Sequence, residues 1–290
     1  MSKRISTAVA ILGLAGMFSG CNLEQPSAGC QVQDATDAYW QAGYFLKNSA
    51  DATKSCGGLK GEPIGVFKYI DPCPDKNAEC PTQGQAVQPT RLAIRPEGAA
   101  SLVSFTDKDD EEKLRVADPK AATSLSATLA DEPNEQGLCG AEGFSPIRVD
   151  ARAVTVAEDN VEEALDAESV SYAYEDVKVY SAPSAPGTQL SATVRYSTGT
   201  SGESCEYQML ALWPQVPCSV DAFKNQTPEN AASRCAEGSG LNPDFDAVCI
   251  ADIGPPLVKR DKDGNVISVT PRGGCVPNPE KGVPAFKVKK

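Results

Sequence analysis

The chain of 290 residues contains no histidine. That excludes every Ser-His-Asp or Cys-His mechanism and every His-ligated metal site. It also lacks a Gly-x4-Gly-Lys-Ser/Thr loop, a Gly-x-Gly-x-x-Gly after a strand and a Cys-x-x-Cys pair, so phosphate-loop, dinucleotide and dithiol chemistry have no carrier. Basic residues are few, 27 against 39 acidic ones, for a net charge of −12. Such a surface disfavours nucleic acid, whose binding relies on Lys and Arg neutralising phosphates. The apolar run Ala8 to Phe18 is shorter than the ~20 residues that cross a bilayer. Long helical periodicities are scarce, while 24 Gly and 22 Pro are present. These counts predict an extracytoplasmic, mainly β protein with long loops.

The chain does have eleven cysteines. Lys3 and Arg4 ahead of the apolar run are laid out as a secretory signal, and an odd cysteine count in an exported chain demands a free thiol or an intermolecular bond. Setting Cys21 aside leaves ten: Cys30, Cys56, Cys73, Cys80, Cys139, Cys205, Cys218, Cys235, Cys249 and Cys275, enough for five disulfides. Phe18-Ser19-Gly20-Cys21 resembles the lipobox of bacterial lipoprotein precursors, with Phe18 where Leu is usual. The resemblance implies that residues 1–20 are a cleaved signal peptide and that Cys21 becomes an acylated, palmitate-bearing N-terminus. Several acyl chains hold far more firmly than one, so the membrane itself is an expected partner. By the family's sorting rule, Asn22 in place of Asp implies the outer membrane, with the periplasmic and cell-surface faces both open. Residues 21–29 read as a lipidated tether. Eight extended residues reach about 28 Å, which keeps the folded body close to the membrane.

Residues 30–204 read as a β-sandwich-like body. Tyr39 to Leu46 is aromatic-rich and favours a strand, and Ile64 to Ile70 predicts a second. Leu92 and Ile94 alternate with Arg91 and Arg95; Val103 and Phe105 flank Ser104; Leu114 and Val116 flank Arg115. Each pattern predicts a strand buried on one face. The acids between Asp107 and Glu112 read as a solvated hairpin tip. Ile147, Val149 and Ala151 share a face, then Val154 and Val156 take the other; Val170, Tyr172 and Tyr174 give way to Val177 and Val179 in the opposite phase. Such slips predict β-bulges or strands that change sheets. Leu190 to Tyr196 keeps a clean period of two. Asp159 to Glu168, with Val161, Ala164 and Leu165 at helical spacing, predicts a short helix.

Residues 205–290 read as a cysteine-rich section. Its five cysteines lack zinc spacing and need one outside partner, with Cys139 the nearest in sequence. Cys73 and Cys80 flank a small polar loop that they could close themselves. Thr227-Pro228-Glu229 predicts a helix start. Asp261 to Asn265 opens like a calcium loop, but Val266 and Arg272 stand where Gly and Glu belong, so a hairpin joining 257–258 to 266–269 is expected instead. The turn Asn242-Pro-Asp-Phe245 before Cys249, in an acidic lipoprotein, is similar to uncharacterised envelope lipoproteins of myxobacteria, which carry no known chemistry.

No catalytic residue, cofactor or metal is assigned, and the chain is expected not to be an enzyme. The reading is a structural or protein-interaction component of the outer membrane or cell surface, with an envelope protein as partner. One alternative is a lectin-like or other ligand-binding β module using aromatic rings, with Tyr39 and Trp40 as the named candidates because strand neighbours point to opposite faces. Another is a carboxylate-dependent hydrolase, which would need a cleft containing an acid of strongly raised pKa.

Overall fold

The computed structural model describes residues 29–70, 89–158, 161–199, 202–218, 234–251, 253, 257–260, 266–270 and 272–288. The signal, the lipobox, Cys73, Cys80, the Thr227 helix start and the Asp261–Asn265 turn lie outside these residues. The first strands are β1 (Trp40–Leu46), β2 (Gly61–Tyr69) and β3 (Arg91–Pro96), the last running into a one-turn helix, α1 (Glu97–Ala100). Five short strands follow, β4 (Thr106–Asp107), β5 (Asp110–Leu114), β6 (Ser124–Leu125), β7 (Thr128–Leu129) and β8 (Leu138–Glu142). Next come β9 (Ile147–Ala151), β10 (Val154–Glu158), β11 (Val161–Leu165), β12 (Glu168–Ala182), β13 (Ala185–Thr198) and β14 (Cys205–Leu212). The chain closes with β15 (Ala247–Ala251), β16 (Leu257–Arg260), β17 (Val266–Thr270) and β18 (Gly273–Pro277).

The protein is mainly β. Ten strands form one antiparallel sheet in the order β6-β3-β2-β1-β14-β13-β12-β8-β7, with β9 also on β12. The two end strands are neighbours in sequence: β6 pairs with β3, and β7 pairs with β8. Residues 124–129 therefore join the opposite edges of the sheet, which curls around until its walls face each other. Inside lie Trp40, Ile64, Leu92, Ile94, Ile147, Val149, Leu190 and Tyr207. Closure brings the two end strands of the main path together and so shortens its exposed edges, the usual liability of antiparallel sheets; β9 pairs with β12 alone.

The phase slips mark real breaks. Between Ala151 and Val154 the chain leaves the main sheet, and β10 pairs with β11 alone. Within β12 the register against β13 shifts between Glu175 and Lys178, where Asp176 adopts φ +53°. The first part of β12 pairs with β9 and the later part with β8, so the bulge re-aims the strand between two neighbours. A hairpin does form at 107–112, with Asp107 opposite Asp110, but its tip is Lys108-Asp109 and the acids 110–112 lie in β5 itself. β16 and β17 also pair, antiparallel, as expected.

Four expectations fail. Leu114 ends β5 and is exposed, while Arg115 and Val116 beyond it are both buried, so Leu114–Val116 is not a strand with one buried face. Residues 101–104 form a 3-10 turn continuing α1, so Val103 and Phe105 are not on a strand. The segment holding Val161, Ala164 and Leu165 is β11, not a helix, because Val154–Val156 lie across from it at Leu165–Glu163 and satisfy its backbone as a hairpin. Residues 205–212 do not belong to a separate cysteine-rich section: β14 pairs with β1 on one side and β13 on the other, at the centre of the sheet.

That placement decides the disulfides. Cys205 bonds Cys56, carried on the 3-10 turn that follows β1, while Cys139 bonds Cys30. The outside partner of the C-terminal cysteines is thus Cys56, not Cys139. Cys218–Cys249 and Cys235–Cys275 then close within the C-terminal section. There β15 and β18 pair and pack on the outer side of the main sheet, with Ile250 and Val276 over Gly43. A Cβ on Gly43 would lie 2.9 Å from the Ile250 side chain, so glycine permits the close approach.

Candidate functional site

Along β2 the alternation splits two environments. Glu62, Ile64 and Val66 turn inward and are buried, while Pro63, Gly65 and Phe67 turn outward. Glu62 is the anomaly, a carboxylate in phase with two aliphatic core residues. The Tyr44 hydroxyl donates to its Oε1 at 2.9 Å, and the Gly98 backbone N–H donates to its Oε2. From the facing wall, Tyr172 also hydrogen-bonds it. Burial pushes the Glu62 carboxyl up to about 7, against hydrogen bonds from Gly98, Tyr44 and Tyr172 that favour the charged form, with nearby Glu97 raising it further. Desolvation outweighs the donors because a buried carboxylate loses most of its hydration. Burial first, and the Glu62 charge second, likewise hold the Tyr44, Tyr172 and Tyr174 hydroxyls well above the usual phenol range. The Tyr174 hydroxyl is buried, with Tyr44 as its polar neighbour.

This cluster opens to a cavity of about 330 Å³ at one end of the curled sheet, lined by Lys60, Glu97, Gly98, Ser101, Tyr172 and Tyr196 among others. α1 sits across it. A Cβ on Gly98 would stand 2.6 Å from the Tyr172 hydroxyl and 3.1 Å from Glu62 Oε2, so only glycine lets the helix turn approach the carboxyl.

The outward side of β2 faces a second cavity, a groove of about 540 Å³. Pro63, Gly65, Phe67 and Arg95 line it from the sheet, and Pro217, Ile253, Arg272 and Gly273 from the C-terminal section. Arg272 reaches Glu97, 3.3 Å from both carboxylate oxygens, and so ties that section to α1.

The two aromatic candidates separate as neighbours in a strand should, but in opposite senses for function. Tyr39 is 59% exposed and lines the groove. Trp40 is fully buried, its indole N–H donating to the Gln33 carbonyl at 2.9 Å, so it packs the core and cannot meet a ligand. Sequence reasoning missed Glu62, Arg95 and Arg272. The signal for the first was available: Glu62 falls in the period-two phase of Ile64 and Val66. Cys21, Cys73 and Cys80 lie outside the described residues. The sulfurs of Cys218, Cys235 and Cys275 lie close together, but each is in a disulfide and none offers a thiolate to a metal.

Among known proteins, no solved structure matches the chain. The Myxococcus xanthus protein named as the lipoprotein MlpA is 32% identical over 257 residues, covering 86% of this chain and 91% of that one. The family model MlpA matches residues 38–214, from the residue before Tyr39 through β14. That span takes in every strand of the curled sheet together with Glu62, Gly98 and Arg95. The chain therefore belongs to the MlpA family, and its likeness to myxobacterial lipoproteins extends over most of its length.

Proposed function

We propose that this protein is a lipid-anchored component of the outer membrane that works by binding other envelope components rather than by catalysis. Membership of a lipoprotein family carries the reading. It is supported by the lipobox-like Phe18–Cys21, by the cysteine parity and by the acidic charge. Cys21 is the acylated residue, nine positions before Cys30, which a disulfide ties to Cys139. Carboxylate-dependent hydrolysis has its raised acid in Glu62, but both Glu62 oxygens already accept hydrogen bonds from the chain, and Glu97 is engaged by Arg272. Neither is presented as a free acid–base pair.

Cys21→Ser tests the anchor: palmitate labelling should vanish and the protein should leave the membrane fraction. Continued membrane residence would sink it. Asn22→Asp should move the protein toward the inner membrane, and an unchanged fractionation would rule out that sorting signal. In-cell cross-linking through the exposed surface should capture an envelope protein; repeated recovery of the uncrosslinked monomer alone would count against an interaction role.

A second reading, a ligand-binding β module, is favoured by the groove beside Tyr39. The ligand would contact Tyr39 and the outer face of β2, not Trp40. Tyr39→Ala should then weaken ligand binding without lowering stability, since this ring is mostly in solvent.

A further inference from the structure

The groove has a chemistry of its own. Gly65 and Arg95 are directly opposite in the β2–β3 register, so they share a face and form neighbouring parts of the floor. With no side chain on Gly65 the floor is open; a Cβ there would come 3.1 Å from the Phe67 ring. Phe67, Pro63, Ala100, Pro217 and Ile253 make the walls largely apolar, and Tyr39 adds an accessible ring. The volume falls within the roughly 300–1,000 Å³ of small-molecule sites.

Three charged side chains line this space: Arg95, Arg272 and Glu97. Arg272 and Glu97 neutralise each other. Arg95 is half-buried, and among the described residues no acid pairs with its guanidinium. In a chain with 39 acids and 27 bases, an unpaired arginine against an apolar groove is a departure from the prevailing charge. A guanidinium at the edge of an apolar space is matched by a carboxylate or phosphate, which it can hold with two parallel hydrogen bonds.

We propose that the groove between β2, β3 and the C-terminal section binds an amphiphile, its apolar body between Phe67, Ile253 and Tyr39 and its oxyanion head on Arg95. The proposal rests on the ligand-binding reading and adds the class of ligand. It is separate from the Glu62 cavity, which lies on the other face of β2.

The test uses the full mature protein in nanodiscs and a diazirine-bearing octanoate, cross-linked by light and mapped by peptide mass spectrometry. Labels should fall on peptides containing residues 63–67, 95–100 and 272–273. Octanoate or octyl phosphate should compete at concentrations at least about ten-fold below those needed for octanol or octylamine. Whichever of the two heads competes better identifies the carboxylate or phosphate source. Arg95→Gln should cut labelling by about ten-fold, and Arg95→Lys should restore part of it. Gly65→Val, which fills the floor without entering the core, should block labelling while the melting temperature is retained. Equal competition by octylamine or octanol, or unchanged labelling of Arg95→Gln, overturns the oxyanion head and leaves the groove as a binding site. Absence of groove labels from every probe overturns the site itself.

Discussion

A buried glutamate among tyrosines makes protonation a matter of folding. Glu62 holds its proton up to about 7, whereas an ordinary glutamate releases it near 4.5. Between those values the folded protein keeps a proton that the unfolded chain has lost, so stability falls as pH rises through this window and levels off above it. The full difference is on the order of 3 kcal/mol. Glu62→Gln removes the titration while an amide oxygen can still accept from Gly98. The prediction is that urea unfolding at pH 5 and pH 8 differs more for the parent protein than for Glu62→Gln; identical pH profiles would place the raised acid elsewhere. Gly98 sets two effects against each other. Alanine usually stabilises a helical position relative to glycine by up to about 1 kcal/mol. Here its Cβ would press on the Tyr172 hydroxyl at 2.6 Å, and overpacking of this kind costs about 1–3 kcal/mol, so Gly98→Ala should lower the melting temperature. A rise would show that α1 can move away from Glu62. Residues of this sort are partly legible in sequence. The phase of Glu62 marks it as inward, but that Tyr172 and Gly98 meet it depends on how far the sheet curls, and Tyr39 could be told from Trp40 only as one in and one out.

Most single strands were readable where one face is buried, because alternation is local; Leu114–Val116 is an exception, since Arg115 is buried and Leu114 exposed. The bulge in β12 is visible as the slip from Tyr174 to Val177, and the end of β9 as the slip from Ala151 to Val154. The misreadings fall where the pattern is too short to choose a period: Val161, Ala164 and Leu165 fit a helix as well as a strand, and Val103–Phe105 is too brief to exclude a 3-10 turn. Closure was not readable at all, since β6 and β7 are two residues each and owe their existence to partners elsewhere in the chain. Ser126, between them, is the test of that closure. Its backbone N–H donates to the Leu92 carbonyl at 2.9 Å, and its hydroxyl accepts from the Leu92 N–H at 2.7 Å. Ser126→Ala leaves the Leu92 amide buried and unpaired, a loss of about 1–3 kcal/mol. The expected outcome is lower stability in urea together with faster hydrogen exchange at Leu92. Exchange as slow as in the parent would mean that another group satisfies that amide.

For the molecule as a whole, covalent and packed links divide the labour. Cys30–Cys139 and Cys56–Cys205 tie the start of the described chain and the turn after β1 into the sheet across separations of 109 and 149 residues. Cys218–Cys249 closes a separation of only 31, inside the C-terminal section that covers the groove. Cysteine count and compartment foretold bridges, but not which, because pairing follows from β14 lying between β1 and β13, a contact far apart in sequence. In the chain-entropy view a closed loop of about 150 residues contributes about 5 kcal/mol and one of about 30 residues about 4 kcal/mol. With Cys30–Cys139 intact, the unfolded chain has a shorter path from 56 to 205, which narrows the gap between these figures. The sharper distinction is therefore spatial. Replacing Cys56 and Cys205 together by Ala should lower the unfolding midpoint of the entire sheet, with amides of β13 and β14 losing protection. Replacing Cys218 and Cys249 should loosen β15 and β18 first, and groove labelling should fall while β13 and β14 stay protected. If both pairs instead lower protection equally in β14 and β18, the C-terminal section and the curled sheet unfold as one cooperative unit, and Ile250 and Val276 over Gly43 are what couple them.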